Sequence, residues 1–215
     1  MTQRLDAALA SRWAKVLLFL ACLVPAALLV ARVVRHEASA NPIEFVEHWL
    51  GDWTMRLLLA TLAITPLRKL LHLPRLVRLR RMLGLFAFAY GLLHLAAWVV
   101  LDHFFAFREM WADVLKRRYI TVGVAALLLL VPLAVTSTDA WMRRLGGKRW
   151  QRLHRLVYVA AVLGVVHYWW LVKSDHTRPL VYALILAALL GARLLPRGRA
   201  ARSGAGAGAG RGTRA

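Results

Sequence analysis

MLGLFAFAYGLLHLAAWVVL, residues 82–101, carries twenty residues with no formal charge and one histidine, His94, two-thirds of the way along. A run this long and this apolar crosses a bilayer as a helix, about 1.5 Å per residue over a hydrocarbon core of roughly 30 Å. A second such stretch, LHRLVYVAAVLGVVHYWWLV at 153–172, holds His154 and His167. An imidazole at membrane depth is costly unless it has a partner, and its neutral form offers a lone pair that suits a metal.

Working outward, four further segments at 13–34, 53–71, 119–136 and 179–195 have comparable length and apolarity. The chain is 60% hydrophobic over 215 residues, more than one soluble core requires. The segment at 53–71 is the weakest, because Arg56 and Pro66 interrupt it, with Arg56 near enough to one end to snorkel. The segment at 13–34 is longer than a secretory h-region and reads as an uncleaved first helix. These readings predict an all-α integral membrane protein, a bundle of six transmembrane helices over residues 13–197. A short N-terminus at 1–12 precedes it, and a disordered tail, GRAARSGAGAGAGRGTRA, follows at 198–215.

Basic residues set the orientation. Arg4, Arg12 and Lys15, the cluster from Arg68 to Arg81, the cluster from Arg143 to Arg152, and the tail arginines all fall on one side of the predicted bundle. The alternate loops hold fewer cations and most of the acids, so both termini are expected in the cytoplasm. The net charge of +20 is therefore a topology and lipid signal, not a nucleic-acid one. The loops at 68–81 and 143–152 could also receive an acidic protein or a nucleotide-like cofactor.

Helical geometry sorts the histidines by depth. With the N-terminus inside, His94 lies roughly 18 Å along its helix and His167 roughly 21 Å along its own, whereas His154 stays in the first turn. The matched pair predicts a haem iron with one imidazole from each side, an arrangement that carries single electrons. His154 and His167 are about 220° apart around an ideal helix and cannot share a face. The role of His154 stays open between ligation of a second group and a polar contact. His36, His48, His72, His103 and His176 fall in loops or interfaces, where solvation is expected. Trp98, Trp141, Trp150, Trp169 and Trp170 sit near helix ends as an aromatic belt. Phe86, Phe88 and Tyr90 could line a porphyrin or simply pack between helices.

Several chemistries are excluded. The one cysteine, Cys22, permits no disulfide, no covalent C-x-x-C-H haem and no four-thiolate cluster, so any haem is b-type. No nucleotide-binding βαβ unit is present, and the glycine alternation in the tail is not one. No nucleophile–base pair emerges, no internal repeat of the transporter kind is visible, and a passive scaffold is the remaining alternative.

At this point the chain resembles the ferric-reductase-type transmembrane domain, and more closely the MsrQ (YedZ) family of haem-binding membrane subunits. The resemblance rests on NPIEF at 41–45, TLAITPLRKL at 61–70, RRMLGLFAFAYGLLHL at 80–95, KRRYITVG at 116–123, PLAVTST at 132–138 and WQRLHRLVYVAAVLGVVHYWWLVK at 150–173. The family usually has proline where this chain has Arg118. The resemblance implies haem b, and FMN as well, in the bacterial inner membrane, with ligands at His94, His154 and His167. It implies electrons taken from the quinone pool or a cytoplasmic flavin reductase. They pass to a periplasmic molybdopterin subunit, MsrP-like, that reduces methionine sulfoxide in oxidised proteins, so the substrate chemistry belongs to the partner. A self-standing transmembrane metal reductase is the alternative within the same fold.

Overall fold

The computed structural model describes residues 2–194, and the tail expected at 198–215 lies outside the described residues. Ten α-helices follow in order: α1 Thr2–Leu9, α2 Arg12–Val34, α3 Pro42–Leu70, α4 Arg80–Ala97, α5 Phe107–Lys116, α6 Arg118–Val135, α7 Asp139–Leu145, α8 Gly147–Leu153, α9 Leu156–Leu171 and α10 Thr177–Leu194. A 3-10 segment, Pro74–Leu79, leads into α4, and a π turn, Trp98–Asp102, extends it. There is no strand among the described residues.

Four stretches are long and apolar enough to cross a membrane: Arg12–Val34, Pro74–Asp102, Arg118–Val135 and Thr177–Leu194. The other two expected spans differ for a physical reason. α3 runs for 29 residues but carries acids and arginines, and α9 has only 16. α3 packs along α4 and α9 along α6, with α10 touching both. A helix enclosed by other helices can keep polar side chains that a lipid-facing helix cannot.

Local chemistry explains the boundaries. Ser11 opens α2 by accepting a hydrogen bond from the Ala14 amide (3.2 Å). Asn41 does the same for Glu44 (3.3 Å) and donates to its carboxylate (3.1 Å), with Pro42 in the first turn. This N-cap starts α3 eleven residues before the apolar reading placed it. Pro66 does not end α3, which continues to Leu70. Gly146, at φ +75°, turns the chain from α7 to α8 in the left-handed region.

Pro25 interrupts the hydrogen-bond ladder of α2, and Tyr90 of α4 repairs it. Its hydroxyl accepts from the Ala26 amide (3.0 Å) and donates to the Cys22 carbonyl (2.8 Å). Tyr90 is thus a buried helix-to-helix bridge rather than a cofactor wall. The tightest packing elsewhere uses small residues, Ala87, Ala160 and Ala161, almost wholly enclosed.

Ion pairs gather the connecting segments at the two ends. Asp6 meets Arg75 (3.4 Å) and Arg81 meets Asp139 (2.6 Å), so α1, the 3-10 segment and α7 share one end with the basic clusters. Asp52, Arg178, Asp113 and Arg117 mark the other.

Candidate functional site

His94 projects from α4 and His167 from α9 into one cavity walled by α3 and α6. Their ring centres are 6.2 Å apart and the ring planes cross at 75°. Each ring is pinned by its Nδ1, which donates to a backbone carbonyl of the neighbouring helix. For His94 the acceptor is Glu47 on α3 (3.0 Å), and for His167 it is Tyr119 on α6 (2.7 Å). A ring that donates from Nδ1 keeps its lone pair on Nε2, the tautomer a metal requires.

The two halves of the site repeat each other position by position. Four residues after Glu47 comes Gly51, whose missing Cβ leaves room for the His94 ring at 3.4 Å. Four residues after Tyr119 comes Gly123, where a Cβ would lie only 2.6 Å from Nδ1 of His167. Three residues before each histidine stands another glycine, Gly91 before His94 and Gly164 before His167. Gly91 faces Leu127 of α6, and Gly164 faces Met55 of α3. Those partners in turn lie four residues after Gly123 and Gly51. Two hairpins, α3–α4 and α6–α9, therefore present the same unit: carbonyl, glycine, bulky side chain on one helix, and Gly-x-x-His on the other. The sequence reading found no internal repeat. This one is legible only once the helices are paired.

The arrangement fits a single ion between two imidazoles. A metal–nitrogen bond near 2 Å puts each ring centre roughly 3 Å from the metal, hence about 6 Å between ring centres for a linear pair. The observed 6.2 Å agrees. The donor set of two neutral nitrogens suits haem iron. Glycines from all four helices line the cavity, together with the polar residues Glu47, His48, Asp102 and Arg117.

His154 is not brought to this pair. It closes α8, its Nε2 within 3.1 Å of the Thr136 hydroxyl and its ring stacked on Trp150 at 3.8 Å. Trp150 also donates to the Thr136 carbonyl (2.8 Å), so this belt residue has an inward task. His103, expected in solvent, is instead enclosed between Asp102 (3.3 Å) and Asp113 (3.4 Å), its ring tilted at 50° against Trp98. Its neighbours come from the π turn and from α5, a juxtaposition that no local sequence signal announces.

Arg56 also departs from simple snorkelling. The buried Asp52, one turn before it, holds Arg56 (3.4 Å) and Arg178 (3.4 Å), and Tyr182 of α10 bonds Arg56 (3.2 Å). This knot ties α10 to α3 beside the cavity, and Asp52 lines the cavity itself. A buried carboxylate needs cationic partners, and Asp52 has one from its own helix, Arg56, and one from α10, Arg178.

The family model described as ferric reductase like transmembrane component matches residues 50–165. That range includes His94 and His154 and ends just short of His167. Protein-methionine-sulfoxide reductase heme-binding subunit MsrQ of Rhodospirillum rubrum is 55% identical over 193 residues, covering 90% of this chain and 93% of that protein. The subunit of the same name from Herminiimonas arsenicoxydans is 52% identical over 182 residues, 84% of each chain. That from Ralstonia nicotianae is 49% identical over 196 residues, 90% of each.

Proposed function

We propose, from the premise that this chain belongs to the MsrQ family within the ferric-reductase-like transmembrane proteins, that it is the haem-carrying electron-transfer subunit of a methionine-sulfoxide reductase. In this reading six helices span the bacterial inner membrane with both termini in the cytoplasm, α3 and α9 joining the four that are long and apolar enough on their own. Electrons come from the quinone pool or a cytoplasmic flavin donor. They leave to a periplasmic molybdopterin subunit, MsrP-like, which performs the sulfoxide chemistry.

The observation that carries the proposal is the pair His94 and His167, pinned by Nδ1 on facing hairpins at the spacing a shared ion requires. Bound there, a b-type haem supplies a one-electron couple. The rest is the work of the chain. The Glu47 and Tyr119 carbonyls fix both tautomers and raise the basicity of each Nε2. Gly51 and Gly123 let the imidazoles stand close to the neighbouring helices. Four enclosing helices keep water away, which limits the rearrangement that accompanies a change of charge.

His154 belongs in this proposal to the cytoplasmic end. The family resemblance gives it a ligand role there, and Arg80 and Arg81 lie close enough to bias any anion toward it. The basic loops at 68–81 and 143–152 are the electrostatically favoured position for an FMN phosphate. The periplasmic segments 36–52, 102–118 and 172–178 would receive the partner. Absorption spectroscopy tests the core of the reading: purified protein should show a reducible b-type spectrum with a six-coordinate low-spin signature. A protein that binds no haem when saturated with it would sink the proposal.

A further inference from the structure

We infer that the groove between α2 and α4 at the basic end of the bundle binds one anionic phospholipid. Three cations from three separate elements converge on its mouth: Lys15 in the first turn of α2, Arg78 in the 3-10 segment and Arg81 in the first turn of α4. One carboxylate answers them, Asp139, and it is engaged by Arg81 at 2.6 Å. Among the described residues neither Lys15 nor Arg78 has an acidic partner within ion-pair distance.

Below the mouth the groove turns wholly apolar. Phe19 forms one wall a turn deeper than Lys15, while Leu85, Phe86 and Ala89 descend along α4. Phe19 and Phe86 meet edge to face at 5.3 Å and close the floor. From Arg81 to Ala89 the trough runs about 12 Å along the helix axis, toward the middle of the membrane. Charge at the surface and an apolar channel beneath it match the polarity of a phospholipid. A soluble anion would satisfy the cations and leave the channel unfilled.

The packing gives the lipid something to do. α2 touches the bundle along a narrow seam with α3 and α4, and most of its leucines and valines face outward. An acyl chain in the trough extends that seam. The choice of the cytoplasmic leaflet rests on the orientation proposed above, whereas the site itself does not.

The experiment uses the full chain loaded with haem in detergent and follows its thermal unfolding midpoint. Phosphatidylglycerol should raise the midpoint, and phosphatidylcholine and inorganic phosphate should not. The double variant Lys15→Gln/Arg78→Gln should need about 30-fold more phosphatidylglycerol for the same rise, roughly fivefold per cation removed. Ala89→Phe, which fills the trough and keeps every charge, should lose most of the response, while Arg143→Gln/Arg144→Gln should keep it. Equal responses to both lipids, a response to phosphate alone, or an unchanged response in both groove variants would overturn the inference. A changed haem spectrum in these variants would bear on the electron-transfer reading instead, so the two failures are separable.

Discussion

Replacing Gly123 with alanine should dismantle half of the site while leaving the fold in place. The added Cβ would stand 2.6 Å from Nδ1, 2.8 Å from Cε1 and 3.2 Å from Cγ of His167. Carbon contacts settle near 3.5–4.0 Å, so the closest overlap is about 0.9 Å. The ring has no free retreat, because the same Nδ1 is held by the Tyr119 carbonyl at 2.7 Å. A displacement of about 1 Å stretches that bond to roughly 3.7 Å, beyond hydrogen-bonding range, and frees the tautomer. Loss of such an orienting partner lowers metal affinity about 10–100-fold, and overpacking adds about 1–3 kcal/mol of destabilisation. The mirror substitution, Gly51→Ala, meets His94 at 3.4 Å, an ordinary contact, and should change haem affinity little. Titrating haem into each purified variant and following the Soret band measures both. Wild-type affinity and a low-spin spectrum in Gly123→Ala would refute the reasoning, as would equal losses in the two variants.

Other positions give independent checks. Gly164→Ala points its Cβ at the Met55 sulfur, 2.8 Å away, the flexible end of a side chain that can move. It should cost less than about 1 kcal/mol in unfolding free energy and leave the spectrum intact. Tyr90→Phe removes the hydroxyl between Cys22 and Ala26, so stability should fall by about 1–2 kcal/mol with haem binding unaltered. The hydrogen bond from Arg81 holds the Asp139 carboxyl below the usual carboxylate range. A depressed folded-state value stabilises fully above the unfolded value of about 3.9 and is lost as the pH falls through the folded one. The difference in thermal midpoint between the parent and Asp139→Asn should therefore stay constant from about pH 6 to 8 and close below about pH 4.

Four of the six expected spans, and the meeting of His94 with His167, were legible because hydropathy and helical rise act locally. α2, α4, α6 and α10 lie within a few residues of their expected positions. The start of α3 was missed because the Asn41 N-cap precedes a polar stretch, where apolar periodicity is silent. The enclosure of His103 depends on how the chain folds back between Asp102 and Asp113, and the burial of Asp52 depends on Arg178, 126 residues away; apolar periodicity reports neither. The Gly-x-x-His repeat was in plain view at 91–94 and 164–167. Glycine is common in membrane helices, however, and only the facing carbonyls and bulky residues of α3 and α6 give the spacing its meaning.

The sharpest measurement is haem quantitation with absorption spectra on His94→Ala, His167→Ala and His154→Ala, each purified in parallel with the parent. Loss of the low-spin b-type signal in both of the first two, with that signal surviving in the third, is the expected result. A full low-spin signal in His94→Ala or in His167→Ala would contradict the assignment of these two imidazoles to one iron.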